Sequence, residues 1–141
     1  MGRKLLWLAL LAAAGALYWR FGYERTLRYF FRVSGTVTVA EELLPALPGP
    51  NSMLFVVARN EKGVPVAVQK IINPVFPADF EMGHLSLLMP DLLTRGLYLE
   101  AQLNTHGQLG AFRRGDLRGE LSSRVNFRSR GAEVRLDRLA K

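Results

Sequence analysis

Residues 53–72 read MLFVVARNEKGVPVAVQKII, and the fold turns on this stretch. Two apolar runs rich in valine flank the polar tetrad Asn60-Glu61-Lys62-Gly63. Each run has strand length, and β-branched and aromatic side chains suit a pleated, half-buried surface. The tetrad reads as a hairpin loop, with Gly63 free to take the positive φ that a tight turn asks for. Alternation puts Leu54, Val56 and Ala58 on one face and Phe55, Val57 and Arg59 on the other. Neither face of the first run is fully polar before Arg59, which predicts a central hairpin covered by other strands. Pro65 has no N–H to give to a ladder, so it belongs at the strand entry or on its unpaired side.

Upstream, residues 33–40 (VSGTVTVA) alternate, with Val33, Gly35, Val37 and Val39 on one face, a strand signal. Residues 41–47 have room for one helical turn before Pro45, Pro48, Gly49 and Pro50 stop it. Downstream, Pro74 and Pro77 mark an extended connection, and Phe80-Glu81-Met82 reads as a short strand. Residues 83–96 carry the apolar patch LSLLMPDLL, expected to form a loop with a helical turn capping one end of the core. Residues 97–103 (LYLEAQL) place Leu97, Leu99, Ala101 and Leu103 inward and Tyr98, Glu100 and Gln102 outward. Residues 111–120 read as a glycine-punctuated loop, and residues 121–127 and 132–139 as closing strands. In the last, Val134, Leu136 and Ala132 face in, and Glu133, Arg135 and Asp137 face out. About seven short strands with frequent turns make a mainly β fold, a small antiparallel β-sandwich.

The 141 residues hold one domain of ordinary size plus a short appendage. The absence of cysteine excludes disulfides, thiolate metal sites, cysteine nucleophiles and covalent haem attachment on this chain. The net charge of +7 is uneven. Residues 1–32 carry six bases and one acid, residues 33–108 four bases and seven acids, and residues 109–141 nine bases and four acids. Two basic ends around an acidic middle suggest contact with lipid headgroups, an acidic protein or nucleic acid.

Residues 5–19 (LLWLALLAAAGALYW) run without a charge behind Arg3 and Lys4. As a helix they cover about 22 Å, short of a hydrocarbon core of roughly 30 Å. Extension to Tyr23 with Arg20 snorkelling gives a workable span, and Trp7, Trp19 and Tyr23 sit where interfacial aromatic belts form. Residues 1–23 are therefore expected to be a transmembrane helix, with Trp7, Trp19, Arg20 and Tyr23 at the membrane interface. Ala12-Ala13-Ala14 and Ala14-Gly15-Ala16 also resemble signal-peptide cleavage sites, the rival reading. Residues 24–32 mix aromatics with arginines, as an interfacial segment or as a stalk packed on its own domain. The arginines after Trp19 favour a cytoplasmic domain by the positive-inside count, whereas the signal-like layout favours export.

Several short pieces recur in a recognisable order: Gly35-Thr36-Val37-Thr38-Val39, Leu54-Phe55-Val56-Val57-Ala58-Arg59, Val64-Pro65-Val66-Ala67-Val68 and Phe76-Pro77-Ala78-Asp79-Phe80. Leu99-Glu100-Ala101-Gln102-Leu103, then Gly107 and Gly115-Asp116-Leu117-Arg118-Gly119, complete the series. From residue 33 onward the chain resembles the C-terminal periplasmic domain of the cytochrome c biogenesis factors CcmI and CycH. It departs from their pattern at Gln102, where arginine is usual, and in lacking their tetratricopeptide array between anchor and domain. The resemblance implies a non-catalytic, periplasmic protein-binding module, anchored in the bacterial inner membrane and working beside c-type cytochromes. Its implied partners are membrane lipid and a c-type cytochrome, a cytochrome maturation component or respiratory-complex subunits. The alternative is a structural accessory subunit of a membrane electron-transfer complex, held mainly by its transmembrane helix.

Side-chain chemistry adds little catalytic signal. His84 and His106 are the only histidines and lack ligand spacing, so solvent-facing loop positions are the plainer reading. Ser122 and Ser123 have no His–Asp layout, and no phosphate-binding glycine motif is present. No enzymatic activity and no cofactor are expected. Asp116, between Gly115 and Leu117, suits turn chemistry. Arg113, Arg114, Asp116, Arg118, Arg124 and Arg128 are the candidate partner-binding residues, their plainer reading being a solvated basic face. Nucleic acid is disfavoured because only Phe112 and Phe127 are near for stacking and a membrane anchor is expected.

Overall fold

The computed structural model describes residues 2–22 and 28–141. It opens with helix α1 (Gly2–Leu17) and a π-helical turn (Tyr18–Gly22). Helix α1 buries none of its residues; its leucines and Trp7 are exposed, as is Trp19 in the turn that follows. Among the described residues no helix is long and apolar enough to cross a membrane. Tyr23 and residues 24–27 of the expected interfacial segment lie outside the described residues. Residues 28–30 are helical and lead into the domain.

Nine strands follow: β1 (Arg32–Val39), β2 (Met53–Arg59), β3 (Pro65–Ile72), β4 (Ala78–Met82), β5 (Gly96–Asn104), β6 (Leu117–Glu120), β7 (Val125–Asn126), β8 (Arg128–Leu136) and β9 (Arg138–Leu139). Two are only two residues long, which accounts for the excess over the expected seven or so. One sheet has the order β4-β1-β8. The other has the order β3-β2-β5-β6-β9, with β7 pairing β5 as well.

The 53–72 hairpin forms as expected. Met53 pairs with Ile72 and Ala58 with Ala67, while β5 covers the other edge of β2. Gly63 takes φ +82°, and Asn60 Oδ1 accepts the N–H groups of Lys62 and Val64 to close the turn. Pro65 stands at the strand entry, where the register shifts between Ala58 and Arg59. The remaining open edge of β3 is partly covered: Leu87 bridges Ala67, and the Leu88 N–H donates to Val66 O at 2.7 Å. That contact hides part of an edge otherwise open to strand addition.

One pairing corrects the all-antiparallel expectation. Strands β1 and β8 run parallel, Val37 opposite Val134 and Val39 opposite Leu136. Their long separation in sequence allows the crossover that a parallel pair needs. A bulge between Val33 and Gly35 takes up an extra β8 residue, and Gly131 there has φ +73°. Gly35 is required: a Cβ would collide with the carbonyl of Ala132.

A second correction concerns residues 111–127. Strand β6 lies inside the stretch expected to be loop, and residues 121–127 yield only β7. Glycine is depleted in strands, so Gly119 masks β6 in the sequence. The structure shows why it is tolerated there. A Cβ at Gly119 would meet the Arg135 carbonyl where β8 crosses β6. Beyond Asp137 the chain changes sheet, and β9 pairs Arg138 with Arg118.

The core lies between the sheets. Val33, Val37, Phe80, Met82, Val134 and Leu136 come from one; Leu54, Val56, Leu97, Leu99, Leu103 and Leu117 from the other. Full burial of each such side chain contributes about 1.5–3 kcal/mol before the entropy of ordering it is subtracted. Two 3-10 turns (His84–Ser86 and Pro90–Leu92) lie in the apolar 83–96 connection. Only part of it caps the core: Leu93 is buried and Leu87 packs against the cluster, but Leu85, Leu88, Met89 and Leu92 stay exposed.

Candidate partner-binding surface

Strand alternation sends Arg59, Tyr98, Glu100, Gln102 and Arg118 to the outer face of the larger sheet. The outward direction of Glu100 and Gln102 agrees with the sequence pattern, yet both are buried. Two different covers explain this. Gln102 lies under the 105–116 loop, donating to Ala111 O at 2.8 Å and accepting the Gly110 N–H at 3.2 Å. Asn104 is held likewise, its Oδ1 accepting the Gly107 N–H at 2.9 Å.

Glu100 is covered by cations. Arg59 Nε lies 3.0 Å from its Oε2 and Arg118 Nε 2.8 Å from its Oε1. The second contact is an ion pair outside hydrogen-bond geometry, which leaves the buried Arg118 Nε without an aligned acceptor. Arg118 also reaches Glu120 at 3.2 Å, and Arg138 reaches Glu120 at 3.5 Å. Arg59 Nη1 donates to Gly63 O at 3.2 Å, tying the network to the hairpin turn. Residues Arg59, Tyr98, Glu100, Arg118, Glu120 and Ser122 line a shallow cavity of about 270 Å³. Tyr98 remains 42% exposed beside it. A fixed charge pattern next to an exposed tyrosine suits contact with another protein, where tyrosine and arginine dominate binding energy.

The 105–116 loop has its own polar centre. His106 Nδ1 accepts the Gln108 N–H at 3.1 Å, which assigns the proton to Nε2. That N–H donates to Asp116 Oδ2 at 2.6 Å, and the Arg113 N–H donates to the same oxygen at 2.8 Å. Asp116 is only 3% exposed, so its carboxylate is occupied within the chain. This is the turn chemistry the sequence suggested. His106 is partly buried and bonded rather than solvent-facing; nothing in the spacing of residues 106 and 116 signals that pair. Exposed His84 sits by Tyr29, with ring centroids 6.4 Å apart, at the opposite end of the domain. The two histidines therefore form no common site. Among the described residues no group of three His, Asp or Glu side chains is placed to hold a metal ion.

The six candidate partner residues do not form one patch. Arg113 bonds Gln108 Oε1 at 2.7 Å, and Arg114 lies near Leu139 and Lys141. Arg118 belongs to the outer face of the sheet. Arg124 pairs with Glu61 at 2.8 Å at the other end, where Arg128 lies over the Phe30 ring, 5.8 Å from its centre. Trp7, Trp19 and Arg20 are exposed on the N-terminal helical segment.

The search of curated proteins returns no match, and neither does the search of solved structures. A family model does match, over residues 33–137: the Ig-like domain of cytochrome c-type biogenesis protein H. Its span begins at the second residue of β1 and ends at Asp137, where the chain changes sheet. The chain thus belongs to the family of cytochrome c-type biogenesis protein H Ig-like domains.

Proposed function

We propose that this protein is a membrane-anchored, non-catalytic binding module that assists the assembly of c-type cytochromes. Family membership over residues 33–137 is the observation that carries the reading. Helix α1 and the turn to Gly22 supply the anchor, and the domain lies in the periplasm. The surface offered to a cytochrome or a maturation component is the outer face of the larger sheet, around Tyr98 and the Arg59–Glu100–Arg118 network. Support comes from its mixed fixed charge and its exposed aromatic.

A second reading draws on one feature. The apolar side chains of α1 are left uncovered by the domain, as in a subunit held in a larger complex by its helix. Deleting residues 1–27, which leaves the buried Phe31 and all of β1 in place, separates the two. A binding module keeps its affinity for a cytochrome-derived peptide after the deletion, and Tyr98→Ala weakens that affinity about tenfold or more, as for an interface anchor. A subunit held by its helix dissociates from its complex instead. Absence of peptide binding by both the intact and the shortened chain contradicts the first reading.

A further inference from the structure

Arg32, Arg128 and Arg130 line one depression at the end of the domain where the N-terminal segment enters. Arg32 stands opposite Arg128 in the β1–β8 pair, and its N–H donates to Phe127 O. Arg32 also pairs with Glu81 at 2.7 Å, but Arg128 and Arg130 have no carboxylate partner among the described residues. The Phe30 ring lies under Arg128, and other exposed apolar side chains lie at the same end of the domain. Tyr29 and Phe30 are 62% and 55% exposed. The Tyr29 ring neighbours His84, from which the 83–96 connection carries Leu85 (90% exposed) and Leu88 (61% exposed) along the same end.

We infer that this arginine-lined, leucine-bearing end of the domain lies against the anionic headgroups of the bilayer that holds α1. The inference rests on the anchoring reading above. Three physical arguments support it. Guanidinium groups that meet no carboxylate among the described residues match phosphate oxygens in charge and in hydrogen-bond geometry. Aromatic and leucine side chains beside basic ones are the composition that inserts at a headgroup boundary. Finally, six residue steps separate Gly22 from Arg28, so the chain allows at most about 20 Å between them. A helix ending at the interface therefore keeps this end of the domain close to the headgroups. Docking fixes the domain's orientation and leaves the outer face of the larger sheet open to a partner.

The absence of cysteine allows a clean test. The full chain is labelled at Leu85→Cys, or at exposed Thr105→Cys at the far end, with an environment-sensitive fluorophore. It is then reconstituted in vesicles of phosphatidylcholine with or without phosphatidylglycerol, containing a lipid-borne quencher. Quenching at position 85 should exceed that at position 105 in anionic vesicles and drop in neutral ones. Combining Arg128→Gln with Arg130→Gln should lower the docked-to-undocked ratio about tenfold or more. Equal quenching at the two positions, in chains that still float with anionic vesicles, overturns the inference and leaves the anchor standing. Shielding of position 85 that needs an added acidic protein rather than lipid also overturns it. Failure of the chain to float with any vesicle overturns both readings.

Discussion

Two residues show how tightly local chemistry is set. Gly119 is needed for backbone approach, not for flexibility. Gly119→Ala should cost about 2–3 kcal/mol as β6 is forced off β8, in the range of overpacking strain. Gly110 has φ +90° with open space around it. Gly110→Ala should therefore cost only about 1–2 kcal/mol, the strain of a left-handed conformation. Urea denaturation of both variants checks the order. Glu100 offers a second contrast. Glu100→Ala leaves Arg59 and Arg118 facing each other, partly buried, and should cost about 2–4 kcal/mol, somewhat less than a fully buried pair. Replacing the group together by apolar residues of similar size should be much closer to neutral. A double-mutant cycle on Arg59 and Glu100 measures the coupling.

At the scale of elements, the sequence reveals strands whose alternation is clean and conceals those governed by backbone approach. Val33–Val39 and Leu97–Leu103 are legible because apolar side chains recur every second residue, and Met53–Arg59 because it is a strand-length apolar run closed by a turn. The outward direction of Glu100 and Gln102 is legible too. Their burial is not, because it depends on a loop folding back and on cations from neighbouring strands. Strand β6 is masked by Gly119, and the parallel β1–β8 pair has no local signature at all. Asp116 as a turn residue is legible; its bond to His106, ten residues away, is not. Amide exchange tests the element assignments. Amides of the paired β2–β5 ladder should exchange slowest, near the global unfolding limit, and the exposed 83–92 and 107–114 connections orders of magnitude faster. Slow exchange across 107–114 would show that loop to be part of the cooperative core.

An apolar helix comes first, then an end that carries arginines and exposed leucines, then a sandwich whose larger sheet displays paired charges and a tyrosine. In the proposed account these parts divide the work. The helix tethers, the basic end orients, and the sheet face recognises. Charge alone does not reveal this arrangement, since the arginines grouped in sequence are dispersed over both ends and one face. Family membership connects it to cytochrome c biogenesis. The most direct measurement is affinity capture of the intact chain from detergent-solubilised native membranes, with mass spectrometry of what comes with it. A c-type cytochrome or a maturation component should be enriched with the native chain and depleted with Tyr98→Ala. Recovery of neither, from membranes that contain both, would contradict the proposed role.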